Sequence, residues 1–431
     1  MKAHKTQLTI ILALTVVLFI LIGATAIQAR TAITRPSVPV IADADKPAEE
    51  EPTDPTAGYS LTRTARLSLG DAEIENNYGG SGNETLVSAI AANERLYVFF
   101  NTDSTDCDSS GVDESAITEL DRNLNIKNVF RTSGKIEAAI LGEGGFVIAA
   151  SVDGTTAVNV INYDGEITAS TLVPRAGEIT QLFLTDDGYI IVSKTQSGTL
   201  GKTAIHLCSL AFDLSLKYER TITAGYSLDP VAAYTRGAET FVFFNAGSDL
   251  GNHIGVAKCT AASETLITYL SRFENHSASA VVPYSSGWAI GTENGVIVTD
   301  GAAVILRTLE CSPLPRLYYA DGLYYAFSGG ATSFDEALTK RFDLDYFSDK
   351  GEITDCVAGS GYGVFLGKTD SALTVTASEN RLGLMLHGKF GRSRLVRLNN
   401  DWFVVAETTE KSADVGLVYG GSDIWVARLK I

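Results

Sequence analysis

One phrase returns eight times between residues 93 and 407, and it constrains the chain more than any other feature. A small or polar turn leads into an aromatic or bulky residue and then an unbroken apolar run. The copies are "NERLYVFF" (93–100), "GGFVIAAS" (144–151), "DGYIIVSK" (187–194), "ETFVFFNA" (239–246), "SGWAIGTE" (286–293), "DGLYYAFS" (321–328), "SGYGVFLG" (360–367) and "NDWFVVAE" (400–407). Aligned on Leu96, Phe146, Tyr189, Phe241, Trp288, Leu323, Tyr362 and Trp402, they recur at intervals of roughly 35–52 residues, about 44 on average. Continuous apolar runs of this length suit strands covered on both faces. A short strand precedes each run, as in "ITQLFLT" (179–185) or "RLVRLN" (394–399). Two more follow, as in "AVNVINYDGEITASTLV" (157–173), where Asp164-Gly165 reads as a two-residue hairpin turn. From residue 59 onward no convincing amphipathic helix exceeds three turns.

Four short strands at a period in the forties make one propeller blade. On these residues the chain resembles the β-propeller superfamily over most of its length, and the ending "GGSDIWVARL" (420–429) is similar to terminal blades of bacterial exported propellers. The expectation is an all-β fold, a single propeller over 59–431 with eight four-stranded blades; seven is the alternative count. The eighth unit holds only three strands, "RLVRLN", "DWFVVAET" and "DIWVARLKI". The segment "YSLTRTARLSL" (59–69) offers a fourth. Ser60, Thr62, Thr64, Arg66 and Ser68 form its polar face, and Leu61, Ala65, Leu67 and Leu69 its apolar one. Pairing this segment with 422–431 would close the ring and remove a frayed sheet edge. One stretch, "SFDEALTKRFDLDYF" (333–347), fits both a capped helix from Ser333 to Glu336 and a strand from Leu338; the repeat register favours strand.

The N-terminus has a different character. Residues 8–27 carry no charge and no proline, and twenty helical residues span about 30 Å, the thickness of a bilayer core. Lys2 and Lys5 favour a cytoplasmic stub at 1–6. The expectation is a single-pass cell-membrane protein: an anchor at 7–29, a Pro-rich acidic tether at 30–58, and an extracytoplasmic propeller. Ala24-Thr25-Ala26 provides the alternative, a cleaved signal peptide and a secreted product. Half of the ten prolines fall in the tether, which therefore reads as an extended spacer.

Charge and chemistry narrow the function. Lys and Arg total 34 against 51 Asp and Glu, for a net charge of −17. Nucleic-acid binding needs basic surface to displace counterions, so it is excluded. The five cysteines stand singly, without CxxC spacing; Cys208 and Cys259 lie in apolar alternation and read as core thiols. The five histidines show no zinc spacing, and no serine sits in G-x-S-x-G. The richest polar stretch is 101–115. There Asp106, Asp108, Ser110 and Glu114 alternate around Gly111 as oxygen ligands for calcium would, although Ile117 replaces the closing acid of an EF-hand. Calcium is thus a possible cofactor and none is required. The leading functional expectation is a binding or scaffold module, its loop face engaging a protein, peptide or glycan. A carbohydrate-active hydrolase or lyase with channel carboxylates, and a structural subunit of an envelope assembly, are the alternatives.

Overall fold

A computed structural model describes residues 66–67 and 72–429, apart from 105–113, 153, 174–176, 197–200, 249–250, 263–264, 271–275, 321, 345–351, 359–362, 378–382 and 411–420. The segments read as membrane anchor and tether lie outside the described residues. The rest is all-β: seven four-stranded sheets and one five-stranded sheet. They form eight blades of an antiparallel propeller, with inner strands opening at Glu84, Lys135, Glu178, Ser227, Ala278, Arg316, Glu352 and Phe390.

The recurring phrase supplies the second strand of every blade. Arg95–Thr102, Gly145–Val152, Gly188–Gln196 and Gly287–Thr292 are almost wholly buried, as their unbroken apolar character requires. Outermost strands instead alternate, as in Ile167–Val173 and Leu216–Ile222. The buried apolar residues fall into eight clusters, and each joins two neighbouring blades. An open row of eight sheets would have seven interfaces. The eighth cluster packs Leu96, Val98 and Phe100 of blade one on Phe403, Val405 and Val426 of blade eight.

A second set of contacts repeats around the ring. In seven inner strands the pairing with the second strand slips by a residue, which frees main-chain groups from the ladder. Side chains of the preceding blade take up amides beside these slips. Asn101 Oδ1 accepts from Ile136 N at 2.8 Å while its Nδ2 donates to Ile136 O at 2.9 Å. Asn245 does the same for Ala278, at 2.7 and 2.9 Å, and Gln181 for Ala233, at 2.7 and 3.4 Å. Carboxylates accept at three joints: Glu137 from Ile179 N, Asp355 from Leu395 N, and Glu407 from Leu86 N, at 2.9, 2.9 and 2.8 Å. The remaining joints run the other way. Pro315 has no N–H, so Ser279 Oγ donates to its carbonyl at 2.8 Å, and Arg316 Nη1 donates to Thr354 O at 2.7 Å.

Three expectations need correction. The strand beside Asp423–Leu429 is Ala72–Tyr78, not the 59–69 segment; only Arg66–Leu67 of that segment is a described strand, and it pairs one place further out. The place beside the last strand is covered on both faces, and Tyr78 fills it, its hydroxyl donating to Leu124 O at 2.7 Å. A wholly polar face suits only the outer position. Next, Asp164-Gly165 belongs to a four-residue connection between Thr155–Asn162 and Ile167–Val173. Its geometry is set by Asn162 Oδ1, which accepts from the amides of Asp164 and Glu166, with Gly165 at φ 84°. Finally, 333–344 is strand and not helix, as the repeat register favoured, but the strand read from Leu338 begins at Lys340. Asp335 makes the same side-chain turn onto Ala337 and Thr339, Leu338 sits in it at φ 60°, and Lys340–Leu344 follows.

The joints make a stability prediction. Asn245→Ala leaves both main-chain groups of Ala278 without their partner and should lower the thermal midpoint by about 1–4 °C. Asn245→Asp, which keeps the acceptor and loses the donor, should fall between. A midpoint equal to that of the parent in both variants would show that the joint is idle.

Candidate functional site

The strand polarity that the blades share places their inner-strand starts and their second-to-third-strand loops at one end of the ring. The stretch that carries the calcium candidates connects the second and third strands of blade one. Asp106, Asp108 and Ser110 lie outside the described residues. Glu114 opens the third strand of blade one, with its backbone between Thr102 and Ser133.

The stem of that loop is defined. Glu84, buried at the start of the first inner strand, accepts through Oε1 from Thr102 Oγ1 at 2.8 Å, Ser104 Oγ at 2.6 Å and Gly80 N at 3.1 Å. Ser104 Oγ in turn accepts from Gly82 N at 2.8 Å, and Asp103 accepts from Asn83 Nδ2 at 2.9 Å. Gly79 passes between the buried carboxylates of Glu84 and Asp423. A Cβ there would come within 2.6 Å of Glu84 Oε2 and 2.5 Å of Asp423 Oδ1, so any other residue would have to displace these carboxylates.

A cavity of about 870 Å³ opens at the same end, between blades one, six, seven and eight. Arg316, Glu352 and Thr354 reach it from the inner strands of blades six and seven, and Lys368, Thr369 and Asp370 from a loop of blade seven. The inner strand of blade eight adds Arg392, Ser393 and Arg394, with Leu86 and Val87 from blade one. Val87 and Thr354 are the surplus residues of two register slips, which turn them out of the ladder toward the channel. None of the four cations was singled out from the sequence. The available signal was position: "PRLYY" and "GRSRL" set arginines at inner-strand starts in a chain rich in acid.

Beneath the cavity, the joint carboxylates organise its wall. Glu407 Oε2 accepts from Arg392 N at 3.0 Å while Oε1 holds Leu86 N, so blade one and blade eight share one carboxylate. Asp355 Oδ1 accepts from Cys356 N at 3.0 Å and Oδ2 from Leu395 N. Burial pushes the Asp355 carboxyl above its ordinary range, against the opposing pull of the Leu395 amide and of Arg394 and Arg316. Elsewhere, Cys208 and Cys259 are buried free thiols, and burial raises Cys208 to about 12, as befits packing rather than reactivity.

No family model matches the chain, and no curated protein matches it. Solved structures do. Sqt1 of Saccharomyces cerevisiae is similar at TM-score 0.54, with 9% identity over 86% of this chain and 100% of that one. BamB of Moraxella catarrhalis gives 0.46, with 12% identity over 80% of this chain and 99% of its own. At such identities the likeness is one of fold alone. The chain is an eight-bladed β-propeller.

Asp355 provides a test with a definite sign. A carboxyl whose pKa rises on folding binds its proton more tightly in the folded state, so its ionised form costs stability at neutral pH. That cost disappears as pH falls through the raised pKa toward the ordinary value of 3.8. Asp355→Asn loses the acceptor for one of the Cys356 and Leu395 amides at every pH, so the sign is read from the pH dependence: its midpoint relative to the parent should fall as the pH drops from 7 to about 4. A difference between variant and parent that stays constant on acidification, or shifts in the variant's favour, would contradict the assignment.

Proposed function

We propose that the chain is a membrane-tethered, extracytoplasmic propeller that acts as a binding or scaffold module, engaging a protein or peptide partner on the loop-bearing face. In this reading residues 7–29 anchor it, 30–58 hold the disc away from the bilayer, and Ala72–Tyr78 locks the ring through the last blade. The observation that carries the proposal is the cavity at the channel mouth. Its lining converges from four blades, and rigid strands presenting a concave polar surface are suited to recognition. Its makeup favours binding over glycoside hydrolysis, which needs paired carboxylates flanking one bond. Glu352 and Asp370 instead stand among four cations and no tryptophan.

A second reading has an observation of its own. Outer strands of blades two to five expose Leu172, Leu216, Leu266 and Leu306, each more than half accessible. A side wall of this kind would suit a subunit packed within an envelope assembly.

Photo-crosslinking in the producing cell separates the two. A crosslinking residue at Asp370, on the loop face, should give a discrete adduct. One at Asp164, at the opposite ends of the strands, should give none. Adducts from Leu172 and Leu266 alone would replace the first reading with the second.

A further inference from the structure

We propose that the channel-mouth cavity receives an acidic peptide segment of the partner, an extended chain carrying two or more carboxylates. This rests on the binding reading above and names the chemistry of its ligand. Among the described lining residues Arg316, Lys368, Arg392 and Arg394 face two acids, Glu352 and Asp370, which reverses the balance of a chain with 34 cations and 51 acids.

The side-chain hydrogen bonds of three of these groups go to carbonyls. Arg316 Nη1, Lys368 Nζ and Arg392 Nη1 donate to the carbonyls of Thr354, Gly391 and Leu86, at 2.7, 2.9 and 3.4 Å. Carbonyls orient a cation without neutralising it. Arg316 has one carboxylate in reach, Glu352 at 3.9 Å. For Lys368, Arg392 and Arg394, none of the described carboxylates lies within 4.0 Å. Asp355 and Glu407, the nearby joint carboxylates, are hydrogen-bonded to main-chain amides, and Asp355 also attracts Arg394 and Arg316, so it offsets part of the cationic excess.

Chemistry and size select the ligand. Guanidinium forks bind carboxylates in paired hydrogen bonds, and three arginines on two blades set several such points apart. A space of about 870 Å³ far exceeds a single small anion. Among the described residues no aromatic side chain lines it, so they offer no stacking platform of the kind usual for a sugar ring. A long polyanion such as nucleic acid would meet the acid excess of the whole chain. A short segment meets the cations alone, since charges beyond about 10 Å are screened at ordinary salt.

The test uses the full chain in detergent and a fluorescent twelve-residue peptide of alternating Glu and Gly, with its Gln-Gly counterpart and inorganic phosphate as comparisons. The acidic peptide should bind roughly tenfold or more tighter than the Gln peptide and weaken as salt rises. Arg392→Gln with Arg394→Gln should cost roughly tenfold or more while leaving the melting midpoint unchanged, both side chains being exposed. Arg394→Glu alone should weaken binding in the same direction. Equal affinity for the two peptides, or for parent and double variant, overturns the proposal. Phosphate displacing the peptide at matched concentration would also overturn it, in favour of a small-anion site. Adducts from Asp370 that persist undiminished in the double variant would remove the acidic ligand and leave partner binding standing.

Discussion

A side chain of each blade holds the backbone of the next, and the remainder of the structure depends on that repeated joint. Apolar packing between twisted sheets supplies most of the cohesion, but it is non-directional and would tolerate sliding. The amide and carboxylate joints fix the relative height of neighbouring blades, because a main-chain N–H moved out of register would be buried without an acceptor. The chemistry varies while the geometry recurs: amides at Asn101, Gln181 and Asn245, carboxylates at Glu137, Asp355 and Glu407. Where Pro315 removes the donor, the direction of the bond reverses.

This frame explains how an acidic chain keeps a cationic recess. Asp355 and Glu407 bring negative charge to the inner wall, but their oxygens are occupied by amides of Cys356, Leu395, Leu86 and Arg392. The arginines of blade eight alternate along the same inner strand, Arg392 and Arg394 to either side of the buried Ser393. Joint and recess are therefore made by the same few residues. Glu407 belongs to both, so a change there would act on joint and recess together.

Much of the fold was legible because the second strands are covered on both faces and must be apolar throughout. That requirement produced the repeat and the count of eight. The partner of the final strand was harder to read. Glu75, Asn76 and Asn77 are polar yet lie buried, so hydropathy pointed to the cleaner alternation at 59–69. The turns at Asp121, Asn162, Asp300 and Asp335 were a missed periodic signal. In each, one side-chain oxygen accepts from the amides two and four residues on, and the residue three on has positive φ. The cavity was invisible for another reason: its cations come from blades that are adjacent in space while Leu86 and Arg392 stand at opposite ends of the chain.

Amide hydrogen exchange at the joint between the last and first blades addresses the central claim most directly. If the eight joints are equivalent members of one ring, Leu86 N–H exchanges as slowly as those of Ile136 and Ala278, and Glu407→Ala accelerates Leu86 ahead of the other two. Fast exchange at Leu86 in the parent chain, with Ile136 and Ala278 still protected, would mean an open row of blades and would contradict the account.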